Sequence, residues 1–182
     1  MEINLIRHFQ TPGNKKGQYI GSTDESILPV SDHGKEYPEV DFLITSPMKR
    51  CIETAKIIYP KKKLIQCKDL RERDFGRFEG KTYLDLRDDF EYQRWLDLNG
   101  KAPFPAGEPT EDFCTRTIHG FRDTINKFPE DARIALVIHG GNIMAIMCDF
   151  AGGDFYDWQV KNGNGYHIHM GKDFIITRIE KI

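Results

Sequence analysis

"NLIRHFQT", residues 4–11, ends a short apolar run, Ile3 to Ile6, with an arginine, a histidine and a phenylalanine. Cation-capable side chains directly behind a run of strand length predict a buried strand whose end is kept for a polar task. Three more runs have this form: "FLIT" at 42–45, "LIQC" at 64–67 and "IALVI" at 134–138. Stretches of helical period separate them. The pattern predicts an α/β three-layer sandwich, a mostly parallel central sheet with helices on both faces.

A length of 182 residues with 39% hydrophobic content supports one sizeable core, so a single domain over 1–182 is expected. Acids and bases are interspersed around a net charge of -2, which offers no broad basic face to nucleic acid or an anionic membrane. The apolar runs fall far short of the roughly 20 residues needed to cross a bilayer. Cys51, Cys67, Cys114 and Cys148 form no CxxC pair, which suits a reducing cytoplasm.

Ser46-Pro47 reads as an N-cap followed by proline at the first helical position. Residues 82–98 have the spacing of one amphipathic helix, "NGKAPFPAGEP" breaks it, and a second helix runs from Thr110 to Phe128. This helical excursion at 82–128 is placed to cap a site. "GYHIHMGKDFIITRI" predicts two strands joined at 171–173, at the sheet margin. The segment 31–40 has room for about two helical turns before Pro38. A thinly covered sheet face with an apolar patch is therefore expected, and the chain is either a monomer or a homodimer.

Polar residues follow every run: Arg7-His8, then Ser46 and Arg50, then Arg71-Glu72, then His139-Gly140-Gly141. Ligands of open parallel sheets bind beyond the carboxyl ends of the strands, where these groups can converge. Helices starting at Pro47 and near Gly141 would turn free N–H groups towards an anion, and the natural guest is a phosphate.

At this point the chain resembles the histidine phosphatase superfamily, the phosphoglycerate mutase-like fold. "LIRHFQT" is similar to its arginine-histidine-glycine signature, with Phe9 where glycine is usual; "SPMKRCIETA", "LRERDFGRFEG", "GEPTEDFCTR" and "LVIHGGNI" resemble later blocks in order. "GQYIGSTD" and "FGRFEG" are most similar to α-ribazole phosphatases of cobalamin synthesis and their small relatives. The resemblance implies His8 as nucleophile and Glu72 as proton donor, with Asp74 the rival carboxylate. It implies Arg7, Arg50 and His139 around the phosphoryl oxygens, with Asn14, Ser22, Thr23 and Gly140 binding substrate. The implied partner is a small phosphorylated metabolite, and neither cofactor nor metal is called for. His167 and His169 share a strand face but lack a third ligand of recognisable spacing, so they read as edge-strand residues. Trp95 falls in the cap.

The expected function is hydrolysis of a phosphomonoester such as α-ribazole 5'-phosphate. The alternatives are mutase-type phosphoryl transfer, which the compact chain disfavours, and a noncatalytic phospholigand-binding module created by Phe9. A phenylalanine forced to positive φ would be strained. Either the loop has adjusted to Phe9, or the site has been lost.

Overall fold

The computed structural model describes residues 1–30, 34–98, 100, 102–171 and 173–182. Among them the strands β1 (Glu2–Arg7), β2 (Phe42–Thr45), β3 (Leu64–Gln66), β4 (Arg133–Ile138), β5 (Gly165–Met170) and β6 (Ile176–Lys181) form one sheet in the order β3-β2-β4-β1-β5-β6. The β3, β2, β4 and β1 strands run parallel, so their carboxyl ends share one edge; β5 pairs antiparallel with β1, and β6 with β5. The expected α/β sandwich and C-terminal hairpin are both present. His167 and His169 lie on β5, between β1 and β6, and not on the edge strand.

The helices are α1 (Pro12–Lys15), α2 (Lys49–Ile58), α3 (Tyr83–Leu86), α4 (Phe90–Asp97), α5 (Thr110–Ile125) and α6 (Gly140–Ala151). The apolar runs are continuous because both sheet faces are covered. Ile3, Leu5, Ile134, Leu136 and Ile138 pack with Phe121 and Ile125 of α5 and with Ile143, Ile146 and Met147 of α6. Ile6, Leu43, Ala135 and Val137 point the other way, against Cys51 and Ala55 of α2. Alternate residues of one strand thus feed two cores, as a period of two requires.

Three expectations are corrected. α2 begins two residues later than Ser46-Pro47 suggested: Met48 is its N-cap, and the Ser46 hydroxyl accepts the Met48 N–H at 3.3 Å. The helix expected over 82–98 is two, because Thr82 and Asp89 each cap a new start; the Asp89 carboxylate accepts from the Glu91 and Tyr92 amides. The face over β1 and β5, expected to be thinly covered and apolar, buries Ile6 with Val40 and holds the buried Asn4, its Oδ1 2.7 Å from His167 Nδ1, with Glu2 opposite His169 in the register. Residues 34–40 cross that side without a helix, and the rest of the expected helical turns, 31–33 with His33, lies outside the described residues.

α5 packs on the sheet beside α6, whereas α3 and α4 stand away from it. Phe78, Leu86, Tyr92, Trp95 and Phe104 form a separate small core there.

Candidate active site

The backbone delivers His8 by extending the ladder one residue beyond β1: His8 N–H donates to the Ile138 carbonyl at 2.9 Å. The next amide, Phe9 N–H, donates to Thr54 Oγ1 at 2.9 Å, which ties the strand end to α2. His8 Nδ1 lies 2.7 Å from the Phe9 carbonyl. A carbonyl can only accept, so Nδ1 carries the proton and Nε2 keeps its lone pair. Burial, with the charge of Arg50, holds the His8 pKa well below the ordinary imidazole value, and the ring is neutral.

Phe9 itself is unstrained. Among the described residues the non-glycines with positive φ are Ala106 and Phe174, and Phe9 is not one of them. Its ring is 7% exposed and lies against Gly163, where an added Cβ would stand 3.1 Å from Phe9 Cδ1. The loop has accommodated the side chain by burying it against Gly163, at the margin of the neighbouring cleft.

Arg7 donates through NH1 to the Val160 carbonyl at 2.7 Å, and its buried Nε has no partner among the described residues. Gly140 lies beside it, where an added Cβ would make only ordinary van der Waals contact with Arg7 Nε, at 3.4 Å. Arg7, His8 and Glu72 line one cavity of about 280 Å³ with Asn14 and Gly140.

Arg50 and His139 sit behind this lining. Arg50 is fully buried; it donates to His139 Nδ1 (3.1 Å) and to the carbonyls of Thr23 (2.8 Å) and Gly21 (2.9 Å). Because arginine only donates, His139 Nδ1 must accept, and its Nε2–H faces Ser46 Oγ at 2.8 Å. Burial and then Arg50 hold His139 well below the ordinary imidazole value. Its ring meets that of His8 edge-on, with centroids 5.2 Å apart. His139 is therefore placed to orient Arg50 and support His8, with both ring nitrogens engaged inside the protein.

Glu72 is raised above the ordinary carboxylate value: burial dominates, opposed by the Arg73 amide, by Arg50 and Arg7, and by the Gly141 amide. Oε1 accepts the Arg73 N–H at 3.0 Å. The flanking arginines bind other groups, although Arg73 shares the cavity lining with Glu72. Arg73 donates to the Glu108 carbonyl and Thr110 Oγ1 and lies over the Phe104 ring, while Arg71 pairs with Glu108 at 3.5 Å. Asp74 caps a turn through the Gly76 amide at 2.8 Å and is exposed.

Both helix N-termini hold carboxylates of the chain itself. The Gly141 amide of α6 meets Glu72, and the Lys49 amide of α2 meets Asp24 Oδ1 at 2.7 Å. Ser22 and Thr23 are exposed and stand outside the cavity; their loop acts through backbone, with the Gly21 and Thr23 amides on Glu79 Oε1 and their carbonyls on Arg50. Asn14 does line the cavity and holds Asn162 Nδ2 at 3.1 Å.

The outer wall was mostly invisible in the sequence. Tyr19, Phe75, Trp95, Phe104, Phe155 and Tyr156 make it aromatic, and Gln18 and Gln159 join it to a broader open cleft. Trp95 falls in the expected cap, and Tyr19 and Phe75 fall in the blocks "GQYIGSTD" and "LRERDFGRFEG"; Phe104, Phe155 and Tyr156 lie in none of the blocks that carry the resemblance. Among the described residues no group of three or more His, Cys, Asp or Glu gathers at metal-binding geometry, and no helix is long and apolar enough to cross a membrane.

The family model of the histidine phosphatase superfamily, branch 1, matches residues 3–174. The chain is 30% identical to the uncharacterized phosphatase PhoE of Bacillus subtilis, across 84% of this chain and 78% of that one. It is 28% identical to the 2,3-bisphosphoglycerate-dependent phosphoglycerate mutase of Cytophaga hutchinsonii, across 79% of this chain and 74% of that one. The solved α-ribazole phosphatase of Shigella flexneri superposes with a TM-score of 0.81 at 20% identity, covering 97% of this chain and 94% of its own, a likeness of fold.

Proposed function

The chain belongs to the histidine phosphatase superfamily, and from that premise we propose that it hydrolyses a small-molecule phosphomonoester through a phosphohistidine on His8. One observation carries the reading: the Phe9 carbonyl fixes the Nδ1–H tautomer of a neutral His8, leaving Nε2 nucleophilic in a cavity shared with Arg7 and a carboxyl of raised pKa.

In the first step Nε2 attacks phosphorus, the bond to the ester oxygen breaks, and Glu72 gives that oxygen its proton. In the second a water, losing a proton to Glu72, displaces the phosphoryl group from His8 and releases phosphate. Arg7 supplies guanidinium N–H groups to the equatorial oxygens, and Arg50 adds positive charge from behind. The opposite pKa shifts serve this pairing. At ordinary values His8 is neutral only above about 6.5 and Glu72 protonated only below about 4.3, so moving each towards the other raises the fraction of enzyme that carries both required forms together.

α-Ribazole 5'-phosphate is the substrate we favour. Its benzimidazole base suits the wall of Tyr19, Trp95, Phe104 and Tyr156. The carboxylate of 3-phosphoglycerate is less well served, because Arg73, the second cation in the lining, already gives Nε to the Glu108 carbonyl and NH2 to Thr110 Oγ1. We read 1–182 as one domain, its α3–α4 excursion closing the site from above.

The test is rapid quench with labelled substrate: an acid-labile phosphoenzyme should accumulate and be absent in His8→Ala. An adduct persisting in that variant would rule out His8. A metabolite panel containing α-ribazole 5'-phosphate and 3-phosphoglycerate then ranks hydrolysis against isomerisation.

A further inference from the structure

The segment that carries Glu72 has no secondary structure of its own. Between a 3-10 turn at Lys68–Leu70 and another at Gly76–Phe78 the chain is irregular, so its carbonyls lack ladder partners and need donors from elsewhere.

Arg116, on α5, provides them. NH1 donates to the carbonyls of Asp69 (2.7 Å) and Arg71 (2.8 Å), and NH2 to that of Glu72 (3.0 Å). The remaining donors form a fork on Glu108, Nε to Oε1 at 2.6 Å and NH2 to Oε2 at 2.7 Å. A guanidinium has five N–H groups, and all five are used. The pair is largely buried, at 13% and 14% side-chain exposure. Burial pushes the Glu108 carboxyl up, but the hydrogen bonds and charge of Arg116 outweigh it, and the net direction is down. Glu108 closes the circuit through its backbone: its N–H donates to the Asp74 carbonyl and its own carbonyl accepts from Arg73 Nε, each at 3.0 Å. Asn142 adds a longer bond to the Arg71 carbonyl.

We propose that Arg116, held by Glu108, is a positioning residue that sets the Glu72 carboxyl at the ester oxygen by clamping the backbone on both sides of it. The proposal rests on Glu72 being the acid-base of the reaction above. Lysine could not replace the arginine, because one ammonium cannot span three carbonyls and a carboxylate fork.

The consequence is selective. A displaced acid matters where the leaving alkoxide needs a proton and matters little where the leaving group departs unaided. Arg116→Met, Arg116→Lys and Glu108→Gln are to be compared with Glu72→Gln on an alkyl phosphomonoester and on 2,4-dinitrophenyl phosphate. Arg116→Met should lose about 100-fold in kcat/KM on the alkyl ester and about tenfold less on the aryl ester, following the pattern of Glu72→Gln; Arg116→Lys should not restore the alkyl rate. Equal losses on both esters, tracking a fall in Tm, would show a merely structural residue and overturn the proposal, as would no loss on either. If Arg116→Met does not fold, Glu108→Gln carries the same comparison, since it opens the fork while keeping the side-chain volume. A Glu72→Gln enzyme impaired equally on both esters would instead overturn the acid assignment itself, and the clamp with it.

Discussion

The two ends of the cavity are built by different means. At the phosphate end, Arg7 closes β1, His8 prolongs its ladder, His139 follows β4, and Arg50 stands in the first turn of α2. These positions are set by parallel strand pairing, Arg7 opposite Ile138. At the leaving-group end, Glu72 and Phe75 come from irregular chain, Trp95 from a short helix, and Tyr156 from a 3-10 turn. Side chains donating to backbone replace the ladder there. The chemistry common to every phosphate ester thus sits on the part of the fold that is hardest to move, and what distinguishes one ester from another sits on the part that is easiest to vary.

If that division is real, damage at the phosphate end spares no substrate. His8→Ala should lower kcat/KM about 10,000-fold or more on alkyl and aryl esters alike. Steady-state assays on matched ester pairs check this, and strong dependence on the leaving group would break the comparison. Glu72→Gln comes next, with a loss of about 100- to 10,000-fold confined mainly to poor leaving groups. Its pH profile sharpens the point. In the wild type, kcat/KM should rise as His8 loses its proton, below the ordinary imidazole value, and fall as Glu72 loses its own, above the ordinary carboxylate value. The variant should keep the lower limb and lose the upper one.

The same division decides what the sequence could reveal. Strands buried on both faces leave unbroken apolar runs, so "INLI", "FLIT" and "IALVI" were legible, and so were the polar residues directly behind them. The Ser46 hydroxyl misled because it meets His139 and the Met48 amide without starting a helix. The break between α3 and α4 is marked by Asp89, whose capping role depends on where its side chain turns. Arg116 ends the block "GEPTEDFCTR", which also holds Glu108, yet its partners were not legible there. Its three carbonyl partners lie 44 to 47 positions away in sequence, and backbone acceptors leave no residue type to recognise.

Phe9 tests whether the strand-end loop belongs to the rigid half. Its ring fills space beside Gly163, and the atoms it lends the site are backbone, the carbonyl that orients His8 and the amide on Thr54. Phe9→Gly should therefore cost about 3 kcal/mol of stability or more, read by urea unfolding, with no gain in turnover per folded molecule. A gain would show that the ring obstructs the phosphate and would favour the noncatalytic reading of the wild type.

The smallest effect should come from the aromatic wall, where the comparison is most exposed to failure. Trp95 is 8% exposed, stacks on Tyr92 with centroids 5.7 Å apart, and leans on Phe104 at 5.3 Å. Its indole N–H is buried with no partner among the described residues. Trp95→Phe keeps a ring in the stack and removes the N–H and part of the surface, so folding should survive. For an ester with an aromatic leaving group KM should rise about fivefold, equivalent to about 1 kcal/mol of stacking, with kcat little changed. A small alkyl ester, which does not reach the wall, should show no such rise. An equal rise for both would mean that Trp95 acts on the phosphate end through the fold. The cap would then belong to the shared machinery, and specificity would have to be sought along the open cleft lined by Gln18, Tyr37 and Gln159.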